Sequence, residues 1–352
     1  MHSSTPSTSM GAPRPSSGRA SMADPAKPLL DVQNLQVEFR TERGAVRAVD
    51  GVSFSIAPGE VFGLAGESGS GKSTIALSLM RVLPPPAVIT GGQVLFGDRD
   101  VLALNDEQLR EFRWRDVSMV FQSAMNSLNP VMRIGEQIED SIQAHSNVSD
   151  KEARERAAHL LTLVGIDTAR LDVYPHQLSG GMRQRAVIAM ALALDPPLMI
   201  MDEPTTALDV VVQKEIMQQI EELKNKLGFS ILFITHDLSL LVEFSDRIAI
   251  MYAGQIVEEG RADDLFDDPL HPYTQGLMSS FPSLTGEKVR LTGIPGSPPN
   301  MLNPPSGCRF HPRCASFRES HARHVPRLRE AKPGHFVACH LYGGLPDSEA
   351  VS

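Results

Sequence analysis

Nine consecutive residues constrain this chain more than any other feature: Gly66-Glu67-Ser68-Gly69-Ser70-Gly71-Lys72-Ser73-Thr74. They fit G-x-x-x-x-G-K-[ST], a loop whose backbone wraps a phosphate. The apolar run from Val61 to Ala65 precedes them and reads as a buried strand. Ile75 to Val82 follows with helical apolar spacing. The motif thus sits between a strand and a helix N-terminus, where its mechanism needs it. Gly66, Gly69 and Gly71 let N–H groups turn inward, with Ser68, Ser70 and Thr74 completing the cradle. The helix end adds partial positive charge there. Lys72 is expected to reach the terminal phosphates, and the Ser73 hydroxyl to ligate Mg2+.

The chain has 352 residues, room for two domains or for one large domain with an extension. Its longest apolar stretch, Ala186 to Leu194, is about half of what a membrane span needs. Any membrane role must therefore pass through a partner. A net charge of −9 runs against the basic excess usual in nucleic-acid binders. The first 27 residues are mostly Ser, Pro, Ala, Thr and Gly, too poor in large apolar side chains to offset ordering entropy, and are expected to be a disordered tail. They contain no apolar core of a secretory signal, and translation starting at Met22 rather than Met1 stays open. Three cysteines imply no disulfide framework and point to a reducing compartment.

Along the chain, Leu29 to Arg40 and Gly51 to Ile56 read as strands, with a polar loop at Thr41 to Gly44. Gln93 to Phe96 and Val117 to Phe121 read as further strands. Met132 to about Gly165 is helical in pattern, and Ser149-Asp150-Lys151-Glu152 is a capping box for a helix running to Val164. Gly181 to Leu194 predicts a helix, Leu198 to Met201 a buried strand, and Val210 to Lys226 a helix ended by Gly228. Phe229 to Ile234 is a strand, a short helix follows near Leu238, and Arg247 to Tyr252 and Gln255 to Glu258 are closing strands. Strands alternating with helices predict an α/β fold with a parallel sheet. The division is a tail over 1–27, a nucleotide-binding domain over 28–260 with an inserted helical subdomain at about 131–178, and an extension rich in Pro, His and Arg over 261–352.

Leu198-Met199-Ile200-Met201-Asp202-Glu203 is a strand ending in two acids. Asp202 there can hold Mg2+ and Glu203 can activate a water. Leu178-Ser179-Gly180-Gly181-Met182-Arg183-Gln184-Arg185 resembles the signature motif of ATP-binding cassette (ABC) proteins. The other marks of that family follow in order: Gln122 in the position of the glutamine loop, Thr206-Ala207-Leu208-Asp209 as the D-loop, and His236 in Thr235-His236-Asp237 as the switch histidine. Phe39 stands where the family places a ring against adenine, with an insert around Arg43. The resemblance runs from about Leu29 to Gly260. It implies a P-loop ABC cassette that hydrolyses ATP with Mg2+ held by Ser73, Gln122 and Asp202. It also implies a head-to-tail pair, in which Ser179 and Gly181 act on the ATP of the other cassette and Asp209 lines the interface. Glu203, His236 and Gln122 are the catalytic set.

Pro269-Leu270-His271-Pro272-Tyr273-Thr274, the stretch Pro304 to Cys314, and Val337-Ala338-Cys339-His340 resemble the C-terminal region of oligopeptide and dipeptide importer ATPases. That group implies a subunit at the cytoplasmic face of the membrane. Its partners are a second ATPase, identical or different, two permease subunits and an extracytoplasmic solute-binding protein, with no nucleic acid. Peptides are the expected cargo, and relatives carry nickel or oligosaccharides. A role in translation or DNA repair would favour two cassettes, a long coiled coil or a zinc-finger insertion, none of which is visible. The region from Phe121 to Pro130 is expected to face the permease. Cys308, Cys314 and Cys339 crowd the extension, and His321 stands where the group has a further cysteine. The resemblance implies a structural metal on this set, either zinc or a [4Fe-4S] cluster.

Overall fold

The computed structural model describes residues 27–122, 127–205, 209–279 and 293–343. The tail expected over 1–27 therefore lies outside the described residues except for Lys27. So do Thr206, Ala207 and Leu208 of the D-loop and Ala124, Met125 and Asn126 of the permease-facing stretch.

The chain opens with a hairpin of β1 (Leu30–Thr41) and β2 (Gly44–Ile56), followed by β3 (Val61–Ala65) and α1 (Lys72–Leu79). Next come β4 (Ala87–Phe96), β5 (Arg99–Asp100), α2 (Asp106–Arg115) and β6 (Val117–Val120). The helical block is α3 (Ile134–Gln143), α4 (Asp150–Leu163) and α5 (Gly180–Ala191). β7 (Leu198–Asp202), α6 (Val210–Leu227), β8 (Ser230–Ile234), α7 (Leu238–Phe244), β9 (Arg247–Tyr252) and β10 (Gln255–Arg261) complete the alternation. α8 (Ala262–Asp267), α9 (Pro272–Met278), β11 (Arg329–Lys332) and β12 (His335–Val337) follow.

Two sheets result. β2-β1-β4-β5 is antiparallel, and the second has the order β11-β12-β10-β9-β3-β8-β7-β6. β9, β3, β8, β7 and β6 run parallel. β3, β7 and β8 are buried at every residue, as strands covered on both faces must be. One core lies between the two sheets and contains Ile75, Ala76 and Leu79 of α1 with Val37, Leu64 and Ile234. The other joins α3, α4 and α5 to the far face of the parallel sheet through Ile138, Leu160, Ile188 and Met201. The box at Ser149 forms as read: the Glu152 N–H donates to Ser149 Oγ at 3.3 Å and the Ser149 N–H to Glu152 Oε2 at 2.9 Å.

Several elements differ from the expectation. β2 starts at Gly44 rather than Gly51, because Ala45 to Val49 pair with β1 despite their mixed polarity. β4 starts at Ala87 rather than Gln93, and Gly91 and Gly92 hide its alternation. The segment over 132–165 is two helices. α2 lies where no helix is expected, although Asn105 and Gln108 form a reciprocal capping box at its start. The main sheet does not end near position 260: β12 pairs with β10, with Glu258 opposite Val337 and Glu259 opposite Phe336. Among the described residues no helix is long and apolar enough to cross a membrane.

Candidate nucleotide site

The phosphate loop runs from the end of β3 to the first turn of α1. Its glycines are required by space as well as by backbone angle. Gly66 has φ +145°, and a Cβ there would meet Met251 O at 2.2 Å. Gly71 has φ +107°, and a Cβ there would meet Ala48 O at 2.3 Å. The loop is thus pressed between the end of β9 and the backbone of β2 at Ala48. Ser70 is buried in it, while Ser68 and Gly69 face solvent and Thr74 is half-buried.

Lys72 is buried, and its ammonium donates to Gly66 O at 2.8 Å and Glu67 O at 3.0 Å. Burial lowers its pKa below the ordinary lysine value, against the raising effect of Glu203, Asp202 and Glu67. The Ser73 hydroxyl donates to Asp202 Oδ1 at 3.1 Å, joining the start of α1 to the end of β7. Burial raises the Asp202 carboxyl above its usual range, partly offset by the bond from Ser73. A hydroxyl and a carboxylate side by side, next to a lysine, form the donor set that a Mg2+ on phosphates requires.

Glu203 has φ +48°, a left-handed conformation that costs a non-glycine residue about 1–2 kcal/mol. Its N–H donates to Ile234 O at 2.8 Å, so the sheet holds it there. Its carboxylate lies between two expected partners. Gln122 Nε2 donates to Oε2 at 2.8 Å, and His236 Nδ1 lies 3.3 Å from Oε1. That bond leaves Gln122 Oε1 as the amide atom able to ligate a metal. Lys72, Ser73, Gln122, Asp202, Glu203 and His236 are therefore brought together. Phe39 is half-buried on β1 opposite Val46, two residues before the Ala48 that backs the loop.

Ser179 and Gly181 lie elsewhere. Ser179 is exposed and caps α5, accepting from the Met182 N–H at 3.2 Å. A Cβ on Gly181 would meet Val212 Cγ1 of α6 at 2.8 Å. These residues line a cleft with Asp209, which caps α6 by accepting the Val212 N–H at 3.0 Å. No hydrogen bond among the described residues joins Ser179 or Gly181 to the phosphate loop.

The extension contributes what the motifs did not signal. Tyr273 OH accepts the Glu67 N–H at 2.8 Å, and Arg313 forks onto the Glu67 carboxylate at 2.8 and 3.0 Å. An acid inside the phosphate loop was the available signal, but its partner lies 246 residues away. Glu258, fully buried on β10, accepts from the N–H groups of Leu270 and His271 and pairs with His335 Nε2. His271 caps α9, accepting the Tyr273 N–H at 3.0 Å on Nδ1. Burial, against the opposing pull of Glu258, pushes the His271 pKa down to about 4, so the ring is a neutral acceptor at pH 7.

The metal expectation for the extension is not met as a coordination set. Among the described residues no group of three or more His, Cys, Asp or Glu is placed to hold a metal ion. His321 Nδ1 accepts the Arg318 N–H at 3.3 Å, and its ring stacks on His340 at 4.9 Å. Burial raises the Cys308, Cys314 and Cys339 thiols, Cys339 to about 11, with smaller raising effects among the thiols.

Comparison with known proteins agrees with this geometry. The family described as ABC transporter matches residues 49–206, and the oligopeptide/dipeptide transporter C-terminal region matches residues 257–320. A putative peptide import ATP-binding protein of Brucella abortus is 49% identical over 301 residues, covering 85% of this chain and 91% of that one. The oligopeptide transport ATP-binding protein OppD of Bacillus subtilis is 44% identical over 328 residues, covering 92% and 91%. Among solved structures, a dimeric ATP-binding cassette in a post-hydrolysis state with ADP and Pi superposes with a TM-score of 0.60 at 29% identity, covering 66% of this chain and 98% of that chain.

Proposed function

Because this chain belongs to the ATP-binding cassette family, in the branch of oligopeptide and dipeptide importer ATPases, we propose that it is the ATP-hydrolysing subunit that powers peptide uptake through separate permeases. The observation that carries the reading is the convergence of Lys72, Ser73, Asp202, Glu203, Gln122 and His236 on one phosphate loop. The same chain carries a C-terminal region typical of peptide importers.

In this reading the loop N–H groups and Lys72 hold the triphosphate, and Phe39 stacks on adenine. Ser73, Asp202 and Gln122 Oε1 would hold Mg2+, which would supply charge neutralisation of the phosphates. Glu203 takes the proton of the attacking water, with His236 and Gln122 fixing its carboxylate. Catalysis is then mainly positioning and charge stabilisation. Ser179 and Gly181 serve the nucleotide of a second cassette across the interface lined by Asp209. The working unit is two cassettes, two permeases and a solute-binding protein, with this subunit at the cytoplasmic face. Residues 28–260 are the cassette, with its helical subdomain at about 131–178, and 261–352 the extension.

Reconstitution of the chain with its permeases, partner cassette and binding protein in vesicles tests this. Labelled peptides should accumulate only with ATP and Mg2+. Uptake of nickel or oligosaccharide in place of peptide would overturn the cargo, and full uptake without a second cassette would overturn the pairing. For the extension, metal analysis after anaerobic purification is the deciding measurement. Stoichiometric zinc, or iron with sulfide, would reinstate the Cys308, Cys314, His321 and Cys339 site.

A further inference from the structure

We infer that Arg313 is a positioning residue of the nucleotide site: through Glu67 it neutralises the one carboxylate built into the phosphate loop, and with Tyr273 it makes the C-terminal extension a brace of that loop. The inference rests on the nucleotide reading above.

Glu67 is the first variable residue of the loop, and its main chain touches the phosphate-binding lysine through the Lys72 bond to its carbonyl at 3.0 Å. A bare carboxylate here stands against any triphosphate the loop binds, because like charges repel most where water is scarce. The Arg313 fork answers it with two charge-assisted bonds, at 2.8 and 3.0 Å. The guanidinium is held for this task. Its side chain is only 6% exposed, Nε donates to Pro295 O at 2.8 Å, and it lies over Tyr252 and Phe310 at 5.8 and 6.0 Å. A second contact acts on the backbone, since the Glu67 N–H is committed to Tyr273 OH and so points away from the phosphate cradle. Tyr273 is itself fully buried against Tyr252 and Phe310, with ring centroids 4.6 and 5.5 Å away. Two residues of the extension therefore set the charge and the direction of one loop residue, without reaching the phosphates themselves.

The test uses the full-length chain, titrated with a fluorescent ATP analogue and assayed for steady-state hydrolysis. Arg313→Gln should weaken nucleotide binding and raise KM about tenfold, with kcat within about twofold of native. The double variant Glu67→Gln/Arg313→Gln removes the exposed carboxylate and should bring affinity back to within about threefold of native. A purely structural arginine gives no such rescue. Unchanged affinity in Arg313→Gln, or a double variant no tighter than the single one, overturns the inference. If Arg313→Gln does not fold, Arg313→Lys keeps the charge and loses the fork, and should raise KM about threefold at constant kcat. An unchanged KM there overturns the inference equally. The native chain is titrated alongside, and absence of ATP binding by it would sink the nucleotide reading itself.

Discussion

The phosphate loop and the signature turn are both glycine-containing segments that lead into a helix, yet the fold treats them differently. The loop is enclosed. Met251 and Ala48 press on its glycines, Lys72 bonds back into it, and β7 and the extension each place a side chain against it. At the signature turn, Ser179 is exposed and, among the described residues, accepts from its own helix end. Groups that act within their own chain need walls; groups that must meet another molecule need an open face. In the proposed function, this difference assigns catalytic chemistry to one end of the cassette and assembly to the other.

The largest effect that could break this comparison is at Glu203. Glu203→Gln should lower steady-state phosphate release by about a thousandfold while leaving ATP affinity near native, since it removes only the base. Near-native turnover would remove Glu203 from the catalytic set. Lys72→Ala comes next and should weaken ATP binding itself by about a hundredfold, measured by nucleotide titration, through loss of a buried charge-assisted contact. Retained affinity would mean that the enclosed loop is not the phosphate site.

Ser179→Ala sharpens the contrast. It should leave the affinity of a single chain unchanged and reduce hydrolysis by the assembled pair about tenfold, through loss of one donor to the partner's nucleotide. An equal loss in both assays would show that the turn acts within its own chain. The smallest effect concerns stability. Asp202 is raised by burial, so the folded chain holds its proton more readily than the unfolded one. Stability from this group is greatest below the unfolded carboxylate range and falls as pH rises through the higher folded value. Asp202→Asn should therefore raise the Tm of the nucleotide-free chain at pH 7 by about 2 °C while abolishing Mg2+-dependent hydrolysis. A lowered Tm would show the carboxylate to be net stabilising.

Much of the enclosed region was legible because each of its parts is local. The loop motif, the strand before it, and the acids at the end of β7 are contiguous stretches whose spacing carries the chemistry. Gln122 and His236 were legible only through their order in a resemblance, since single polar residues after strands carry no spacing of their own. Arg313 and Tyr273 were not assigned to the site at all. Their role depends on α9 and the turn at His311–Arg313 packing against a loop more than 200 residues earlier, which no periodicity encodes. β12 was hidden for the same reason: three residues paired with β10 have too short a pattern to read. The expected metal set is arranged only in part: Cys308 and Cys314 lie near enough to raise the Cys339 thiol, yet among the described residues no group of three or more donors is placed to hold a metal ion.

The pairing of β12 with β10 has a consequence for how the molecule comes into being. During synthesis β10 leaves the ribosome with its outer edge unpaired and with the Glu258 carboxylate still lacking His335. An open edge of this kind invites pairing with another chain. Closure waits for Phe336 and Val337, and the Glu67 carboxylate stays unanswered until Arg313 has emerged. The nucleotide site is thus completed by residues made more than 200 positions after its loop, so a nascent polypeptide has its phosphate loop long before it has the means to brace it.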